Sequence, residues 1–390
     1  MPLKSERTTS NKLLKSINQQ RVLRLIYTDG PISRVELAEK TGLTQQTITN
    51  IVNRFLEDDY VLETEPVSGS SGRKPIPLIV RSNEMFAIGI EIAVKYIRGA
   101  LIDFQHRVIK EFKIDVPVYE SKDHPLDFVR QTIDELLQHV PKTGQLKGIG
   151  CSIQGLVDAK QGAVIYSPGL RWREYPLREK LESLYDLPVY LENDANLLAL
   201  VENLNGRLAG SVNNITIKFD YGIGGAIVLN NQLCTGATHV AGEFGHYKAF
   251  AGKYLHKCHC GASGCMTTLA SVSGLKRNGG YAIETFGSLL DAGDPQAVAL
   301  FAAIEEAAGL AISNLITIFN PDHVLFTGKL VDVLGQRLLP LLRNRIFATI
   351  PDSCKGVILE HLPITPDEST LAGGLVINRF FDVPLESFSM

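Results

Sequence analysis

Apolar residues in the first sixty positions recur at helical spacing, in three runs separated by residues that interrupt helices. The first run stops at Asp29-Gly30-Pro31, and the second begins at Ser33 and stops at Thr41-Gly42-Leu43. Ser33 and Glu36 have the spacing of a capping box, in which each side chain bonds the other residue's backbone amide. Thr44 is the predicted cap of the third helix. The apolar positions of that helix follow the spacing i, i+3, i+4, i+7: Ile48, Ile51, Val52 and Phe55.

Two short helices joined by a turn that contains glycine predict a helix-turn-helix. The second of these helices would lie in the major groove of DNA, where Gln and Asn amides can pair at two places with adenine. The predicted DNA-binding residues of the two helices are Ser33, Arg34, Thr44, Gln45, Gln46, Thr47, Thr49 and Asn50. The helices alone also fit a small bundle with a solvated polar face.

Two short apolar runs flank a loop rich in Ser and Gly after the third helix. Residues 61–64 and 77–80 are predicted strands, and the loop between them carries Arg73 and Lys74 at its tip. A basic loop between two strands is typical of the wing of a winged helix, where it contacts phosphate or the minor groove. The sequence therefore predicts a DNA-binding domain at residues 1–80.

From residue 81 onward, β-rich runs alternate with helical patterns, which predicts an α/β protein. A three-stranded meander, a helix and two buried strands form one predicted lobe, at residues 81–205. Further strands and a long apolar helix predict a second lobe, at residues 206–390, whose last helix returns to the first. The predicted strands are 86–92, 97–103, 108–114, 146–153, 188–191, 214–219, 226–229 and 323–326, and the predicted helices are 126–137 and 298–319.

Composition narrows the class of protein. The chain has 390 residues, of which 45% are apolar and 21% charged, and a formal net charge of −3. These values describe an ordinary globular protein of two or three domains. Because no run of about eighteen apolar residues and no apolar signal core is present, we expect a cytoplasmic protein with reduced thiols and no membrane partner.

One cysteine-rich segment, residues 258–265, carries the pattern Cys-x-Cys-Gly-x-x-Gly-Cys downstream of a histidine. Two thiols one residue apart can face one metal ion if the chain turns at Gly261 and Gly264. Four protein ligands leave no open position, so a zinc ion here is expected to be structural. The imidazoles of His256 and His259 are alternative ligands. The predicted zinc ligands are His246, Cys258, Cys260 and Cys265.

This cysteine pattern, downstream of Glu-Asn-Asp-Ala-Asn at residues 192–196, resembles the ROK family of sugar kinases and sugar-responsive repressors. The first eighty residues are similar to the winged helix of its repressor branch, especially its xylose-repressor-like members. They share Ser-Arg-x-Glu-Leu-Ala, Thr-Gly-Leu and Gly-Arg-Lys-Pro with that branch. The resemblance implies an actin-like, ribonuclease H-like α/β fold of two lobes with a sugar site in the cleft between them.

The resemblance also implies the residues that contact the sugar. Asp194 stands where the family's kinases have the general base that takes a proton from a sugar hydroxyl. A carboxylate accepts hydrogen bonds from two hydroxyls, so the same residue suits binding without catalysis. The implied sugar-binding residues are Asn193, Asp194, Glu243 and His246. From the residues alone, Asn193 and Asp194 could instead form a turn or a helix cap.

Departures from the family pattern predict that the kinase activity is lost. The family's phosphate loop Asp-x-Gly-x-Thr aligns with residues 91–95, Glu-Ile-Ala-Val-Lys, so its Gly and Thr are missing. Residues 220–225 keep the second glycine loop in part, and Lys329 stands near the nucleotide where the family has glycine. Without these groups, the positioning of phosphate and the neutralisation of its charge should fail. We therefore expect no catalytic residue, with Asp194 as a vestigial base.

Another departure affects the sugar site, because Thr267 stands where the family has a glutamate that contacts sugar. The resulting hypothesis is a homodimeric or tetrameric repressor of carbohydrate-utilisation genes that binds operator DNA and responds to a small sugar. An ATP-dependent sugar kinase with a DNA-binding arm is one alternative. A constitutive repressor with a vestigial cleft is the other.

Overall fold

The computed structural model describes residues 3–65, 76–116, 124–249, 254–363 and 367–381, and the side chains from residue 16 onward. The predicted wing-tip residues Arg73 and Lys74 lie outside the described residues. The chain divides into two compact units. The first comprises Met1–Cys151, Leu177–Tyr190 and Ala372–Met390, and the second comprises Ser152–Pro176 and Leu191–Leu371.

Helices and strands alternate along the described residues. In chain order they are α1 (Leu3–Asp29), β1 (Ile32–Ser33), α2 (Arg34–Thr41), α3 (Gln45–Glu57), β2 (Val61–Glu63), β3 (Pro77–Val80), β4 (Met85–Ile92), β5 (Tyr96–Asp103), β6 (Val108–Asp115), α4 (His124–Leu137), β7 (Gln145–Ile153), β8 (Leu156–Asp158), β9 (Ala163–Ser167), β10 (Trp172–Tyr175), α5 (Leu177–Tyr185), β11 (Val189–Asn193), α6 (Asp194–Asn205), β12 (Asn214–Phe219), β13 (Ile223–Leu229), β14 (Gln232–Leu233), α7 (Val272–Gly279), α8 (Ile283–Asp291), α9 (Pro295–Phe319), β15 (His323–Thr327), α10 (Lys329–Thr349), β16 (Ile358–His361) and α11 (Glu368–Phe381). Short 3-10 helices lie at Phe244–His246, Met266–Thr268 and Asp352–Cys354.

The N-terminal part of the first unit is a winged helix. The Ser33 hydroxyl accepts from the Glu36 amide, and the Glu36 carboxylate accepts from the Ser33 amide at 2.8 Å, which confirms the predicted capping box. Thr44 caps α3 through the Thr47 amide, as predicted. Gly42, with a φ of 72°, ends α2 in the left-handed conformation. The sheet order β1-β3-β2 supplies the predicted strands of the wing.

A five-stranded sheet of order β11-β7-β4-β5-β6 follows. Strands β4, β5 and β6 pair antiparallel, so the predicted meander is confirmed. The α4 helix packs on this meander with Val129, Ile133 and Leu136 buried. Each of the three is fully buried, as the helical spacing of these apolar residues requires.

The core of the winged helix continues into this meander and into the end of α11. One apolar cluster includes Val22 and Ile26 of α1, residues of α3, Ala100 and Ile102 of β5, and Ile377 of α11. Aromatic rings extend the contact, because Tyr27 stacks on Phe381 with centroids 4.2 Å apart. The last residues of α11 therefore complete the core of the N-terminal helices.

The second unit is built on another five-stranded sheet, of order β14-β13-β12-β15-β16, in which β12 is central. Strand β12 pairs antiparallel with β13 and parallel with β15. A small sheet of order β10-β9-β8, which the sequence pattern missed, belongs to the same unit.

Helix α9 lies in the core of the second unit. By length and composition it could cross a membrane, with a mean hydropathy of 1.5 over its most apolar 18-residue window, but 61% of that window is buried. Its neighbours in the apolar cluster include Phe219 of β12 and Leu338 of α10. Burial of this kind is that of a core helix rather than a lipid-facing one.

The close approach of α11 to β7 gives a test of this packing. A Cβ added to Gly150 would lie 1.9 Å from the backbone oxygen of Ala372, so one of the two backbones must move. We expect Gly150→Ala to lower the free energy of unfolding by about 1–3 kcal/mol or more, measured by urea denaturation. Gly356→Ala is the control, because no atom lies within 4 Å of its added Cβ. Equal denaturation midpoints for the two variants would contradict the packing.

Candidate functional site

The exposed face of α3 presents a row of polar side chains. Ile48, Ile51, Val52 and Phe55 are buried on the opposite face, as the sequence pattern predicts. Gln45, Gln46 and Asn50 are exposed, and Thr47 and Thr49 are half-buried. Gln46 donates a hydrogen bond from Nε2 to Asn50 Oδ1 at 3.2 Å, which aligns the two amides one helical turn apart. Such a pair presents both donors and acceptors to base edges.

The two residues at the start of α2 have intramolecular partners. Ser33 is 5% exposed, and its hydroxyl belongs to the capping box. Arg34 forms an ion pair with Glu63 at 2.7 Å and lies 3.4 Å from Asn53 Oδ1. This ion pair joins α2 to strand β2 of the wing. The Ser33 hydroxyl and both terminal nitrogens of Arg34 thus have partners within the winged helix.

The cysteine-rich segment brings four ligand atoms together. Atoms from His246, Cys258, Cys260 and Cys265 all lie within 4.8 Å of one another. Cys258 Sγ lies 3.5 Å from His246 Nδ1, and Cys260 Sγ lies 3.6 Å from Cys265 Sγ. Tetrahedral zinc, with bonds of about 2.3 Å to sulfur and about 2.1 Å to nitrogen, places its ligand atoms about 3.6–3.8 Å apart. The Cys258–His246 and Cys260–Cys265 distances match that geometry, so the four side chains are a candidate zinc site.

The glycines of this segment turn the chain as the sequence predicts. Gly261 and Gly264 have φ values of 89° and 76°, which other residues rarely adopt. The alternative ligands lie outside the four-atom group: His256 Nε2 bonds Asn278 Oδ1 at 2.8 Å, and the exposed His259 lies 3.7 Å from Cys258 Sγ.

Lys248 is a neighbour of the candidate metal site that sequence reasoning missed. Its ammonium donates to Cys265 Sγ at 2.8 Å and to the backbone oxygen of His246 at 2.7 Å. Three thiolates around a divalent ion carry one net negative charge, which a neighbouring lysine offsets. The two-residue spacing from His246 to Lys248 was a local signal that could have indicated this position.

The predicted sugar-binding residues of the second unit gather around Asp194, the first residue of α6. The Asp194 carboxylate accepts a hydrogen bond from Lys218 Nζ at 2.9 Å and is 17% exposed. Burial, and next the charge of Asp194, raise the pKa of Glu243 to about 7. Glu243 Oε2 lies 3.7 Å from His246 Nε2, on the ring edge opposite the thiols. His246 therefore links the metal centre to the carboxylates.

Asn193 is the N-cap of α6, the alternative that the residues themselves left open. Its Oδ1 accepts from the amides of Ala195 and Asn196 at 2.9 and 3.1 Å, and its Nδ2 donates to Gly155 O at 2.9 Å. The cap fixes the first turn of α6, and so the backbone of Asp194.

Lys218 is the residue of this site that sequence reasoning overlooked. It lies in the buried strand β12, is 6% exposed, and bonds both Asp194 and Glu368. Burial disfavours its charge, but the carboxylates of Asp194 and Glu368 outweigh burial and raise its pKa well above the ordinary value. A lysine inside the apolar run Asn214–Phe219 was the available signal, because a buried ammonium needs a carboxylate partner.

Two positions at which the chain departs from the family pattern have partners within their own unit. In the first unit, Glu91 is buried and accepts from the Tyr96 hydroxyl at 2.5 Å. In the second unit, the Thr267 hydroxyl accepts from the Ile223 amide at 3.2 Å. Thr267 and Tyr221 line a cavity of 260 Å³ in that unit.

Comparisons with known proteins agree with this geometry. Residues 87–358 match the ROK family, and residues 15–61 match a winged helix-turn-helix DNA-binding family. The xylose repressor of Bacillus subtilis (strain 168) is 28% identical over 389 residues, which cover 95% of this chain and 97% of that protein. A crystal structure of a ROK family transcriptional regulator, a homolog of the E. coli MLC protein, is 25% identical with a TM-score of 0.82, covering 95% and 97%.

A kinase of known structure matches less of the chain. The ROK family glucokinase from Streptomyces griseus, solved with glucose and AMPPNP, is 25% identical with a TM-score of 0.61. The match covers 98% of the kinase but 74% of this chain, whereas the regulator covers 95% of it. The chain therefore belongs to the ROK family, with the two-lobed α/β fold of its sugar kinases preceded by a winged helix-turn-helix.

Proposed function

We propose that this chain is a zinc-containing transcriptional repressor of carbohydrate-utilisation genes, whose affinity for operator DNA is set by a sugar bound beside Asp194. The observation that carries this proposal is the capped helix α3, with its exposed amide row, in one chain with a sugar-kinase-like fold that keeps Asp194. Similarity to a xylose repressor over 95% of the chain supports the same function and makes pentoses the first candidate effectors.

DNA recognition rests on α3. Gln45, Gln46 and Asn50 are free to meet base edges in the major groove, and Thr44, Thr47 and Thr49 line the same face. Arg73 and Lys74 would contact phosphate from the wing tip. Ser33 and Arg34 act on this surface through the capping box and the ion pair with Glu63. Two such surfaces on a homodimer, or on a tetramer, would read a two-fold operator.

Sugar recognition rests on Asp194, Glu243 and the Nε2 edge of His246. These groups offer two carboxylates and a ring nitrogen, which together accept and donate hydrogen bonds to neighbouring hydroxyls. Asn193 positions this group through its cap and has one amide hydrogen left for the ligand. The sugar must bind one conformation of the protein better than another, since equal binding would leave DNA affinity unchanged.

Phosphoryl transfer is absent from the proposed function. In the kinases the Asp194 position works as a general base, which requires a carboxylate able to take a proton from the sugar. Here Lys218 holds that carboxylate in an ion pair. Glu91, Ala93 and Lys95 replace the Asp, Gly and Thr that would position phosphate, and Lys329 is paired with Glu284. The loss of the groups that position phosphate and the loss of a free general base both favour a regulator over a kinase.

Zinc would hold the cysteine-rich segment in place and orient His246. Nδ1 of His246 faces the thiols and Nε2 faces Glu243, so a metal bound at Nδ1 fixes the ring for the ligand. Since four protein ligands leave the metal no open position, its role is structural. A repressor of this kind works in the cytoplasm, where the thiols stay reduced.

Replacement of Gln46 tests the DNA-reading surface. We expect Gln46→Ala to weaken binding to a duplex selected from a random pool by about 1–3 kcal/mol, because one two-point base contact is lost. Binding to an unrelated duplex should change little. The measurement is a gel-shift titration of both duplexes, with Gln336→Ala on the exposed face of α10 as the control. Equal losses on both duplexes would refute a base-reading role.

Removal of one thiol tests the metal centre. We expect the wild-type chain to carry one zinc per chain by inductively coupled plasma mass spectrometry. Cys260→Ser should lose most of it, because Cys260 is an exposed member of the ligand group. Cys234→Ser, outside that group, should keep its zinc. Zinc retained in both variants, or absent from the wild-type chain, would contradict the site.

A sugar panel tests the proposed function against its rivals. We expect a pentose or hexose to raise the melting temperature of the wild-type chain, because a ligand of the folded state stabilises it. The same sugar should weaken binding to the selected duplex, and no sugar should release ADP from ATP in a coupled assay. Turnover that Asp194→Asn abolishes would identify a kinase. DNA binding that no sugar changes would identify a constitutive repressor.

A further inference from the structure

The buried lysine joins three parts of the second unit. Lys218 is fixed on β12, the central strand of its sheet, with strands hydrogen-bonded on both sides. Its ammonium donates to Asp194 Oδ2 at 2.9 Å and also to Glu368 Oε1. The second Glu368 oxygen accepts from the Ser152 hydroxyl at 3.0 Å. We call Asp194, Lys218 and Glu368 the charge triad.

The triad ties together the starts of two helices. Asp194 is the first residue of α6, and Glu368 is the first residue of α11. A carboxylate in the first turn favours a helix because it faces the unpaired backbone amides and the positive end of the helix dipole. Both carboxylates therefore stabilise their own helix and compete for the same ammonium.

The other end of α11 belongs to the core of the winged helix. Val376, Ile377 and Phe381 lie in one apolar cluster with buried residues of α1 and α3. Phe380 meets the ring of Tyr60, directly after α3, edge to face at a centroid distance of 5.4 Å. The helix is continuous from Glu368 to Phe381. One helix therefore contains both the carboxylate that binds Lys218 and the residues that pack on α1 and α3.

We propose that Lys218 is a positioning residue that couples the Asp194 carboxylate to helix α11. When Asp194 accepts hydrogen bonds from a ligand, its hold on the ammonium weakens, and Lys218 pairs more closely with Glu368. The first turn of α11 then changes its position or its stability. That Asp194 meets a sugar rests on the proposed function, whereas the coupling between Asp194 and α11 does not.

The geometry distinguishes this role from that of an ordinary buried ion pair. Two carboxylates share one ammonium, so a change at one carboxylate alters the pairing of the other. The ammonium is nearly inaccessible to water, so the loss of one partner is felt by the other rather than by solvent. Asp220 adds a further carboxylate to the field at Lys218, which favours its charged form.

A double-mutant cycle on the full chain tests the coupling without any ligand. Asp194→Asn removes one carboxylate charge, as a sugar that occupies Asp194 would partly do, and leaves Lys218 to Glu368. We expect the amide hydrogens of residues 372–381 to exchange more slowly in this variant, by a factor of up to about 5. The measurement is hydrogen–deuterium exchange mass spectrometry. In a Glu368→Gln background, the same replacement should leave that exchange unchanged.

The control is another ion pair of the same unit. Arg345 binds Glu305 through two bonds of 2.6 and 2.8 Å. We expect the effect of Glu305→Gln to add to that of Asp194→Asn, because those residues share no partner. The proposal would be overturned if Asp194→Asn changed amide exchange equally with and without the Glu368 carboxylate. It would also be overturned if exchange changed only at residues before 372.

Ser152→Ala provides a milder variant if Glu368→Gln does not fold. It keeps every charge and removes the 3.0 Å hydrogen bond to Glu368. The response of α11 to Asp194→Asn should then be smaller, and an unchanged response would count against the coupling. Failure of the wild-type chain to bind any selected duplex would end the proposed function, while the exchange cycle would still decide whether the triad couples Asp194 to α11.

Discussion

The interaction on which the first unit depends is the apolar contact that the winged helix shares with the meander and with the end of α11. Its helices bury Val22, Ile48 and Phe55 in the same cluster as Ile102 and Ile377. A domain of about sixty residues buries a small fraction of its surface and is only marginally stable alone. Sharing a core with later parts of the chain supplies the missing burial and fixes the orientation of α3.

In the proposed function, the ion pair of Lys218 with Asp194 separates this site from that of a kinase. A general base needs a carboxylate that is free to take a proton, but a binding site needs one held in place. Lys218 holds the Asp194 carboxylate in place, and the same ion pair keeps that carboxylate from acting as a free base. The ammonium also offsets the repulsion between Asp194 and Glu368, although burial and the charge of Asp194 still raise the pKa of Glu368.

Local patterns in the sequence predicted much of the fold. The capping box at Ser33, the turn at Gly42 and the strand Pro77–Val80 depend on near neighbours, and the structure has all three. The clustering of His246, Cys258, Cys260 and Cys265 was also predictable, because glycine positions and cysteine spacing determine how a short segment turns. These features share a short sequence separation.

Long-range contacts were less accessible. Lys218 and Glu368 are 150 residues apart, and no periodicity links them. The packing of Ile377 and Phe381 on the winged helix also joins residues far apart in sequence. To predict it, one must know how the chain passes through both five-stranded sheets before it reaches α11. Asn193 illustrates a different limit: its sequence context fits a cap and a ligand contact equally, and only coordinates show that both ends of its amide are engaged.

The shared core has a consequence for protein synthesis. The DNA-reading helices leave the ribosome first, but their apolar cluster is completed by Val376, Ile377 and Phe381, which emerge some 300 residues later. At an elongation rate of about 5–20 residues per second, this interval lasts on the order of tens of seconds. During that time the nascent winged helix exposes part of its apolar surface, so chaperones have a binding site there. A chain released before residue 376 would leave that surface permanently uncovered.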